Sequence, residues 1–542
     1  MSFTTRLRAL RAVQNHFDAD ARETQRKALA ALASLPLPAT AALADYHDSL
    51  LFLAAHTGDV DLERRVAAEF ARIERFVKQR RGRIPAAWQD RGMPWMPIVV
   101  RFSHDALRWL AGHRHARLEL ESLEPGTADL GDILVLTLPA LERAETTAGR
   151  TPQELLDALH VPRKDTLAML LRELARFDDQ PLLKDHLFGQ LELFMRIVPT
   201  DRRFSKPYNR LPIDATWHQR DHAKRFDVMA LLEVPLPPSR KLDDAALDDA
   251  IDVLRNTMAL TIRETDPATY LDRGSLRIHD LDRGLSCATF GMTPDRQLPL
   301  ESYVGFTLFK NGLPVAYGGS WVFGVRAAFG MNIFEPFRGG ESGLMMAQVL
   351  RCYRQRFGVT YFQVDAHQFG LDNPDGIASG AYWFYHRHGF RSIDARIARM
   401  VKAEKARLDA KPGARSNEKT LLAFTASDVA LDLDGEGMAP PPRPDDFTAT
   451  VTRWIAKTHR GDRAAAERDA LDTLTKATRE KLGDASTRRV ALEWGPVAAA
   501  CGVDDADTWR LIANALRTKP RGVDAYQRVL QRLLPRLAPM LR

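Results

Sequence analysis

Residues 303–323 restrict the fold of this chain more than any other stretch, because they hold two strand-like apolar runs joined by Asn311 and Gly312. An Asn-Gly pair readily adopts the two positive φ angles of a two-residue hairpin turn, so a pair of antiparallel strands is expected here. The elements predicted after it are a strand over 328–335, a helix over 341–357 closed by Gly358, a strand over 359–366 and a helix over 376–388 closed by Gly389. Antiparallel strands followed by alternating strands and helices predict a mixed α/β domain.

Two stretches with the composition of linkers divide the chain. Residues 234–240 and 433–446 contain clustered proline and glycine, which continue neither a helix nor a central strand. The predicted domains are an all-helical amino-terminal domain over 1–233, a mixed α/β domain over 240–430 and, after the linker at 433–446, a helical region over 447–542. A length of 542 residues with 45% apolar residues suits several buried cores and excludes a disordered or fibrous chain.

Helical periodicity supports the amino-terminal prediction. Four apolar residues recur at helical spacing on one face: Val66, Phe70, Ile73 and Val77. Residues 151–154, Thr-Pro-Gln-Glu, have the chemistry of a helix start, with a capping threonine, a proline at the first position and a glutamate that reaches back to the cap. A further apolar stripe over 247–262 predicts a helix ahead of the strands.

The net charge is concentrated near the carboxyl end. Residues 447–542 hold 18 Lys and Arg against 11 Asp and Glu, which accounts for the whole net charge of +7. A basic helical region can contact nucleic acid or an acidic partner. The interspersed acidic residues favour the alternative, a small bundle with solvated arginines.

The sequence also bears on compartment, membrane and metal. No run approaches the roughly 18 apolar residues of a membrane span, and the first residues lack the apolar core of a signal peptide, so we expect a cytoplasmic protein with no membrane partner.

Three widely spaced cysteines predict buried free thiols. His218 and His222 have the spacing of a helical metal pair, but no third ligand is evident, so no metal is expected.

Residues 332–343 run from a predicted strand through a glycine-rich turn into a predicted helix. Such a turn points consecutive backbone amides into one concavity, and the helix adds its free amides and positive dipole end, an arrangement that suits a phosphate group. A tight turn without a ligand has the same pattern. Ser342 does not complete a nucleophile elbow, because Leu344 occupies the position of the second glycine.

A second motif lies between residues 381 and 390. An alanine, a tyrosine four residues on and a Gly-Phe pair four and five residues beyond it are Ala381, Tyr385, Gly389 and Phe390. Together with Arg338, Gly339 and Gly343 in the turn, this motif resembles the GNAT superfamily of N-acetyltransferases, over roughly residues 240–430. The resemblance implies a GNAT-like fold, N-acyltransferase activity and acetyl-CoA or another acyl-CoA as donor. It also implies the cofactor-binding residues Phe334, Phe337, Arg338, Gly339, Gly340, Glu341, Ser342 and Gly343.

The chain departs from the family pattern at two positions. Glu341 stands where the family usually has its central glycine, and Ala378 replaces an asparagine common three residues before the alanine. A carboxylate beside the phosphates would repel them unless its side chain turns away. An alternative function is therefore a catalytically inactive GNAT-like domain that serves as an interaction or acyl-CoA-sensing module.

Acyl transfer to an amine needs a base for the amine, a donor for the developing oxyanion and an acid for the departing thiolate. The resemblance assigns the acid to Tyr385, which the aromatic run at 382–385 could equally place in a core, and the oxyanion donor to an amide near Phe334 or Glu335. Glu335 is the first candidate for the base, with Asp365 and His367 as alternatives. A small amine, a peptide amino terminus, a lysine side chain and an aminoacyl group all remain open as acceptors.

Overall fold

The computed structural model describes residues 2–80, 84–123, 130–147, 149–223, 226–339, 341–435 and 440–541. Gly340 and part of the predicted linker at 433–446 lie outside these ranges. The chain forms two compact units. The first unit consists of Met1–Asp221, Asp243–Thr269 and Asn311–Pro314, and the second of His222–Leu242, Tyr270–Lys310 and Val315–Arg542.

The α-helices of the described residues are α1 (Phe3–Val13), α2 (Ala19–Ala33), α3 (Ala41–Ala55), α4 (Val60–Gln79), α5 (His104–Ala111), α6 (Leu130–Leu134), α7 (Arg143–Thr146), α8 (Pro152–Ala158), α9 (Thr166–Leu174), α10 (Pro181–Gly189), α11 (Val228–Leu232), α12 (Asp244–Leu260), α13 (Asp266–Thr269), α14 (Ser342–Phe357), α15 (Pro374–Ser379), α16 (Ala381–Arg387), α17 (Ala395–Ala410), α18 (Glu418–Phe424), α19 (Pro444–His459), α20 (Arg463–Thr478), α21 (Ala485–Cys501), α22 (Ala506–Thr518) and α23 (Val523–Leu537). The strands are β1 (Ile98–Val100), β2 (Ala116–Leu123), β3 (Leu193–Pro199), β4 (Arg277–Asp280), β5 (Leu285–Phe290), β6 (Ser302–Lys310), β7 (Leu313–Phe323), β8 (Arg326–Ile333), β9 (Tyr361–Val364), β10 (Arg391–Ser392) and β11 (Val429–Asp432).

The first unit combines helices with a three-stranded sheet of order β1-β3-β2. The prediction that residues 1–233 are all helical is therefore wrong. Strand β3 alternates buried and half-buried residues along its whole length, the period of a strand that packs one face against a core. Helix α12 belongs to this unit, although the sequence division placed it with residues 240–430. The domain boundaries drawn at the proline-rich stretches stay predictions.

Two local predictions in the first unit are confirmed. Helix α4 buries all four residues of the predicted stripe, Val66, Phe70, Ile73 and Val77. Helix α8 begins with the predicted capping box: Thr151 Oγ1 accepts from the Glu154 amide, and the Glu154 carboxylate accepts from the Thr151 amide. Both backbone amides would otherwise lack a partner within the helix.

The second unit is built on an eight-stranded mixed sheet of order β10-β11-β9-β8-β7-β6-β5-β4. Strands β8 and β9 run parallel, whereas β7 pairs antiparallel with β8 and β11 antiparallel with β9. The predicted mixed α/β class is confirmed. The hairpin turn has φ of +48° at Asn311 and +76° at Gly312, as expected for an Asn-Gly turn, and α14 ends at Gly358, whose φ is +70°.

The helix predicted over 376–388 is instead two helices, α15 and α16, separated at Gly380. Gly380 has a φ of +66°, the left-handed conformation that ends a helix and that glycine adopts without steric cost. The break makes α16 a separate short helix that carries Tyr385 and Arg387 and is followed by His388. The second motif therefore starts at a helix amino terminus.

The carboxyl-terminal helices α19–α23 share a hydrophobic core with the sheet of the second unit, through buried Leu300 and Phe323. The Tyr526 hydroxyl donates to the Leu300 carbonyl oxygen at 2.6 Å. The region predicted to be helical over 447–542 forms α19–α23, and α21 contains Pro496. The described part of the chain contains no helix long and apolar enough to cross a membrane.

Candidate functional site

The glycine-rich turn connects β8 to α14 through a short 3-10 turn at Glu335–Phe337. Gly339 has a φ of +85°, which strains any residue with a Cβ atom. Glu341 occupies the N-cap position of α14, and no described side chain caps the first turn of this helix. The first amides of α14 consequently have no side-chain acceptor, which is the state in which a helix start can bind an anion.

The start of α14 opens into a cavity of about 560 Å³. It is lined by residues of the turn, by the end of α16 with His388, and by His222, Ala223, Phe226 and Val228. The turn contributes Gly339, Glu341, Ser342 and Gly343. The cavity volume lies in the range of small-molecule sites in proteins.

Glu341 turns away from solvent into a buried ion cluster. Its carboxylate lies 2.7 Å from Arg283 Nη2 and 3.3 Å from Lys310 Nζ, and it accepts a hydrogen bond from the Ala223 amide at 2.8 Å. Burial raises the pKa of Glu341, but the Lys310 charge and the bonds from Arg283 and Ala223 outweigh it and hold that pKa at about 2. Glu341 is therefore ionised, with two cations beside it.

Lys310 is fully buried at the end of β6. Burial lowers its pKa to about 8, against the opposing charge of Glu341. Its ammonium also donates to the Arg283 carbonyl oxygen at 2.6 Å. From its place in the sequence, Glu341 was expected to repel a phosphate at the turn. In the structure, Lys310 and Arg283 compensate the negative charge of its carboxylate.

Gly343 allows His388 to lie against the first turn of α14. A Cβ atom at position 343 would stand 2.3 Å from His388 Nε2, closer than any real contact. His388 Nδ1 donates to the Phe384 carbonyl oxygen at 2.7 Å, which leaves Nε2 as the nitrogen nearer Gly343. Burial lowers the pKa of His388, partly offset by that hydrogen bond, so the imidazole is neutral at pH 7.

Phe334, Phe337 and Arg338, also predicted to bind the cofactor, do not line this cavity. Phe337 is buried, and Arg338 is exposed with its Nε directed to the Ile333 carbonyl oxygen at 3.3 Å. The Phe334 ring stacks on Tyr317 at a centroid distance of 5.3 Å. Its amide donates to the Val315 carbonyl oxygen at 3.0 Å, so this amide is already engaged as a donor.

The candidate catalytic residues lie in different environments. Tyr385 is 6% exposed on the buried side of α16, with its ring against Phe369, Phe384 and Phe390. Burial raises the pKa of Tyr385 above its ordinary value. Glu335 is exposed at the start of the 3-10 turn. The turn and Glu335 are neighbours in sequence, whereas Tyr385 does not line the described cavity.

The alternative bases follow strand β9. Asp365 accepts the His367 amide at 2.8 Å, and His367 Nδ1 lies 2.8 Å from the Leu371 carbonyl oxygen. Strands β8 and β9 pair only over Arg326 to Ala328, and β8 then runs on beside β7 to Ile333. The hydrogen bonding between β8 and β9 therefore ends before their carboxyl ends, which the turn and Asp365 follow.

The contributors to the site that were not predicted include Lys310 with Arg283, Phe226, and the pair Arg387 and His388. Arg387 and His388 lie inside the second motif, between Tyr385 and Gly389. Their spacing, however, gives no indication in the sequence that they line a ligand site. Lys310 sits just before the hairpin turn and approaches Glu341 only through the fold. Among the described residues, no group of three or more His, Cys, Asp or Glu could hold a metal ion, and His218 and His222 fall in different units.

Comparisons with protein-family models, with curated proteins and with solved structures found no match to this chain. Its function must therefore be inferred from the geometry of the site and from the two motifs.

Proposed function

We propose that this protein is an N-acyltransferase that transfers an acetyl or other acyl group from acyl-CoA to an amine. The observation that carries the proposal is the uncapped first turn of α14, which opens into a cavity of about 560 Å³ while Glu341 is held away by Arg283 and Lys310. The cavity offers backbone amides and a helix dipole to a pyrophosphate. A GNAT-like fold is part of the same proposal.

The order of strands and helices in the second unit supports the proposed GNAT-like fold. Antiparallel strands lead into β8, and the turn, α14 and parallel β9 follow, which is the order that the resemblance implies. Because β8 and β9 part after Ala328, main-chain groups on that edge of β8 can pair with an extended ligand that carries amides. The pantetheine arm of CoA has two such amides. It would run from the start of α14 along this edge.

The reaction needs no co-substrate beyond acyl-CoA and the acceptor amine. The amine nitrogen attacks the thioester carbonyl carbon, the carbon–sulfur bond breaks, and the product is an amide with free CoA thiol. The amine loses a proton to a base, and the thiolate gains one from an acid. Tyrosine is protonated at pH 7 and can donate its proton to the thiolate, which is the role we propose for Tyr385. Burial raises the pKa of Tyr385 and so weakens it as an acid. Glu335 is exposed and would accept the amine proton directly or through water.

A second candidate function has its own support. The Phe334 amide is engaged by Val315, and the Tyr385 ring is enclosed by three phenylalanines. A domain in which these two groups cannot reach the thioester would bind acyl-CoA without transferring the acyl group. This candidate is an acyl-CoA sensor or an interaction module.

Turnover separates the two candidates. The full chain is incubated with acetyl-CoA and with polyamines, lysine peptides, amino-terminal peptides and aminoacyl compounds, and release of free CoA thiol is followed with mass analysis of the acceptor. If the protein is an enzyme, it should acetylate at least one of these classes of acceptor. Tyr385→Phe should then lower kcat about 100-fold with little change in acetyl-CoA affinity. Thiol release no faster than without protein, with acetyl-CoA still bound, would favour the sensor.

A further inference from the structure

The wall of the cavity facing the turn is aromatic. The rings of Phe226 and His388 lie nearly parallel, with centroids 6.1 Å apart and planes 27° apart. Phe384 lies against His388 at 4.7 Å. These three side chains and Val228 line the cavity beside the first turn of α14. Flat aromatic faces of this kind bind planar rings, and nucleobases stack on them.

Glu341 ties this wall to the turn. The Ala223 amide donates to the Glu341 carboxylate at 2.8 Å, and Ala223 lines the cavity together with Phe226. The residue that departs from the family pattern thus has a structural role on the cavity side. A glycine at position 341 could neither bind Ala223 nor pair with Lys310.

Arg387 adds a cation at the same wall. Its side chain is exposed, and its Nε donates to the Trp383 carbonyl oxygen at 3.2 Å. The residue follows Phe384 by three positions and lines the cavity with it. A guanidinium beside a flat aromatic wall recognises a phosphate attached to an aromatic base.

We propose that this wall binds the 3′-phosphoadenosine end of CoA, with the purine on Phe226 and His388 and the 3′-phosphate at Arg387. The proposal rests on the proposed function and adds a subsite for the nucleotide end of its donor. A phosphopantetheine arm without the nucleotide, such as a carrier protein bears, should therefore bind less tightly than CoA. Glu341 is a positioning residue for this subsite, since it binds the backbone amide of Ala223, which lines the cavity with Phe226.

The test is calorimetry on the full chain with four probes: CoA, 3′-dephospho-CoA, adenosine 3′,5′-bisphosphate and 4′-phosphopantetheine. The wild-type chain should bind CoA about tenfold more tightly than dephospho-CoA, a difference worth one charge-assisted hydrogen bond. Arg387→Glu should abolish that preference. Phe226→Ala should weaken CoA and adenosine bisphosphate about tenfold and leave phosphopantetheine unchanged.

The control substitutions lie at exposed positions that do not line the cavity. Met229→Ala removes an exposed apolar side chain three residues from Phe226 that does not line the cavity, and Arg532→Glu reverses an exposed charge on α23. Both should bind all four probes as the wild type does. Thermal unfolding of each variant shows whether a loss of binding reflects a loss of fold.

Equal affinity of the wild-type chain for CoA and dephospho-CoA, or unaltered CoA binding by Phe226→Ala, would overturn the assignment while leaving acyl-CoA binding at α14 intact. Phosphopantetheine binding as tight as CoA binding would do the same. Failure to bind CoA at all would overturn this proposal and the proposed function together.

Discussion

Two buried ion clusters in the described part of the second unit place the same chemistry in different surroundings. Glu341 pairs with Lys310 and Arg283 at the start of α14, and Glu493 pairs with Lys519 in the carboxyl-terminal helices. Glu493 also accepts the Leu300 amide at 2.8 Å, so its cluster joins α21 to the chain ahead of β6. Glu341 instead accepts an amide from a segment that lines the cavity.

This difference separates a structural cluster from one that also shapes a binding site. In both, desolvation opposes the charged lysine, and burial lowers the pKa of Lys310 and of Lys519. Breaking either cluster should cost stability. Only the cluster at Glu341 should affect a ligand in the cavity.

The largest expected effect is on stability. Glu341→Ala leaves Lys310 buried without the carboxylate that compensates it, and Glu493→Ala does the same to Lys519, so each should lower the free energy of unfolding by about 3–5 kcal/mol. Urea denaturation of both variants measures the loss. A loss below about 1 kcal/mol in either variant would show that its cluster is not a buried, compensated pair.

The second prediction concerns the ligand. Lys310→Met removes the charge that neutralises Glu341 beside the phosphates, so acetyl-CoA affinity should fall about tenfold. Lys519→Met lies in the other cluster and should leave that affinity unchanged. Calorimetry, run below the unfolding temperature of each variant, measures the acetyl-CoA affinity of both variants and of the wild type. Equal weakening by the two substitutions would remove the distinction between the clusters.

The smallest effect is a pH dependence. Because burial favours the neutral amine, Lys310 has a pKa of about 8, and raising the pH from 7 to 9 discharges it while Glu341, with a pKa of about 2, stays negative. The CoA phosphates are already ionised in this window, since their last pKa is about 6. Acetyl-CoA affinity should therefore fall about threefold as the pH rises, and Lys310→Met should show no such slope. A slope that persists in Lys310→Met would assign it to another group.

Local signals in the sequence predicted the Asn311-Gly312 turn of the first unit and much of the second unit. The Asn311-Gly312 turn and the helix ending at Gly358 follow from backbone conformations that few residues adopt, so these features could be placed to within a few residues. The break at Gly380 was missed because Gly380 lies inside a continuous helical pattern. The sheet of the first unit was missed because the alternation along β3 was not recognised among helical segments.

The site was less accessible to sequence reasoning. Gly339 and Gly343 stand in a recognisable turn, and their conformations follow from it. The direction of the Glu341 side chain could not be predicted, because it depends on Lys310 and Arg283, which reach it from other parts of the chain. Phe226 lies outside the region of the resemblance, so only the folded structure brings it to His388.

The most direct measurement of the central claim, that acyl-CoA binds at the first turn of α14, is an acetyl-CoA titration of the wild-type chain and of Ser342→Asp. An aspartate at the first position of α14 favours the helix dipole, by about 0.3–1 kcal/mol, but places a second carboxylate where the phosphates bind. Gly483→Asp is the control, since a Cβ atom there meets nothing within 4 Å. The account predicts saturable binding to the wild type and the control, with affinity reduced at least tenfold in Ser342→Asp at undiminished thermal stability. Equal affinity in all three proteins, or no binding to the wild type, would contradict it.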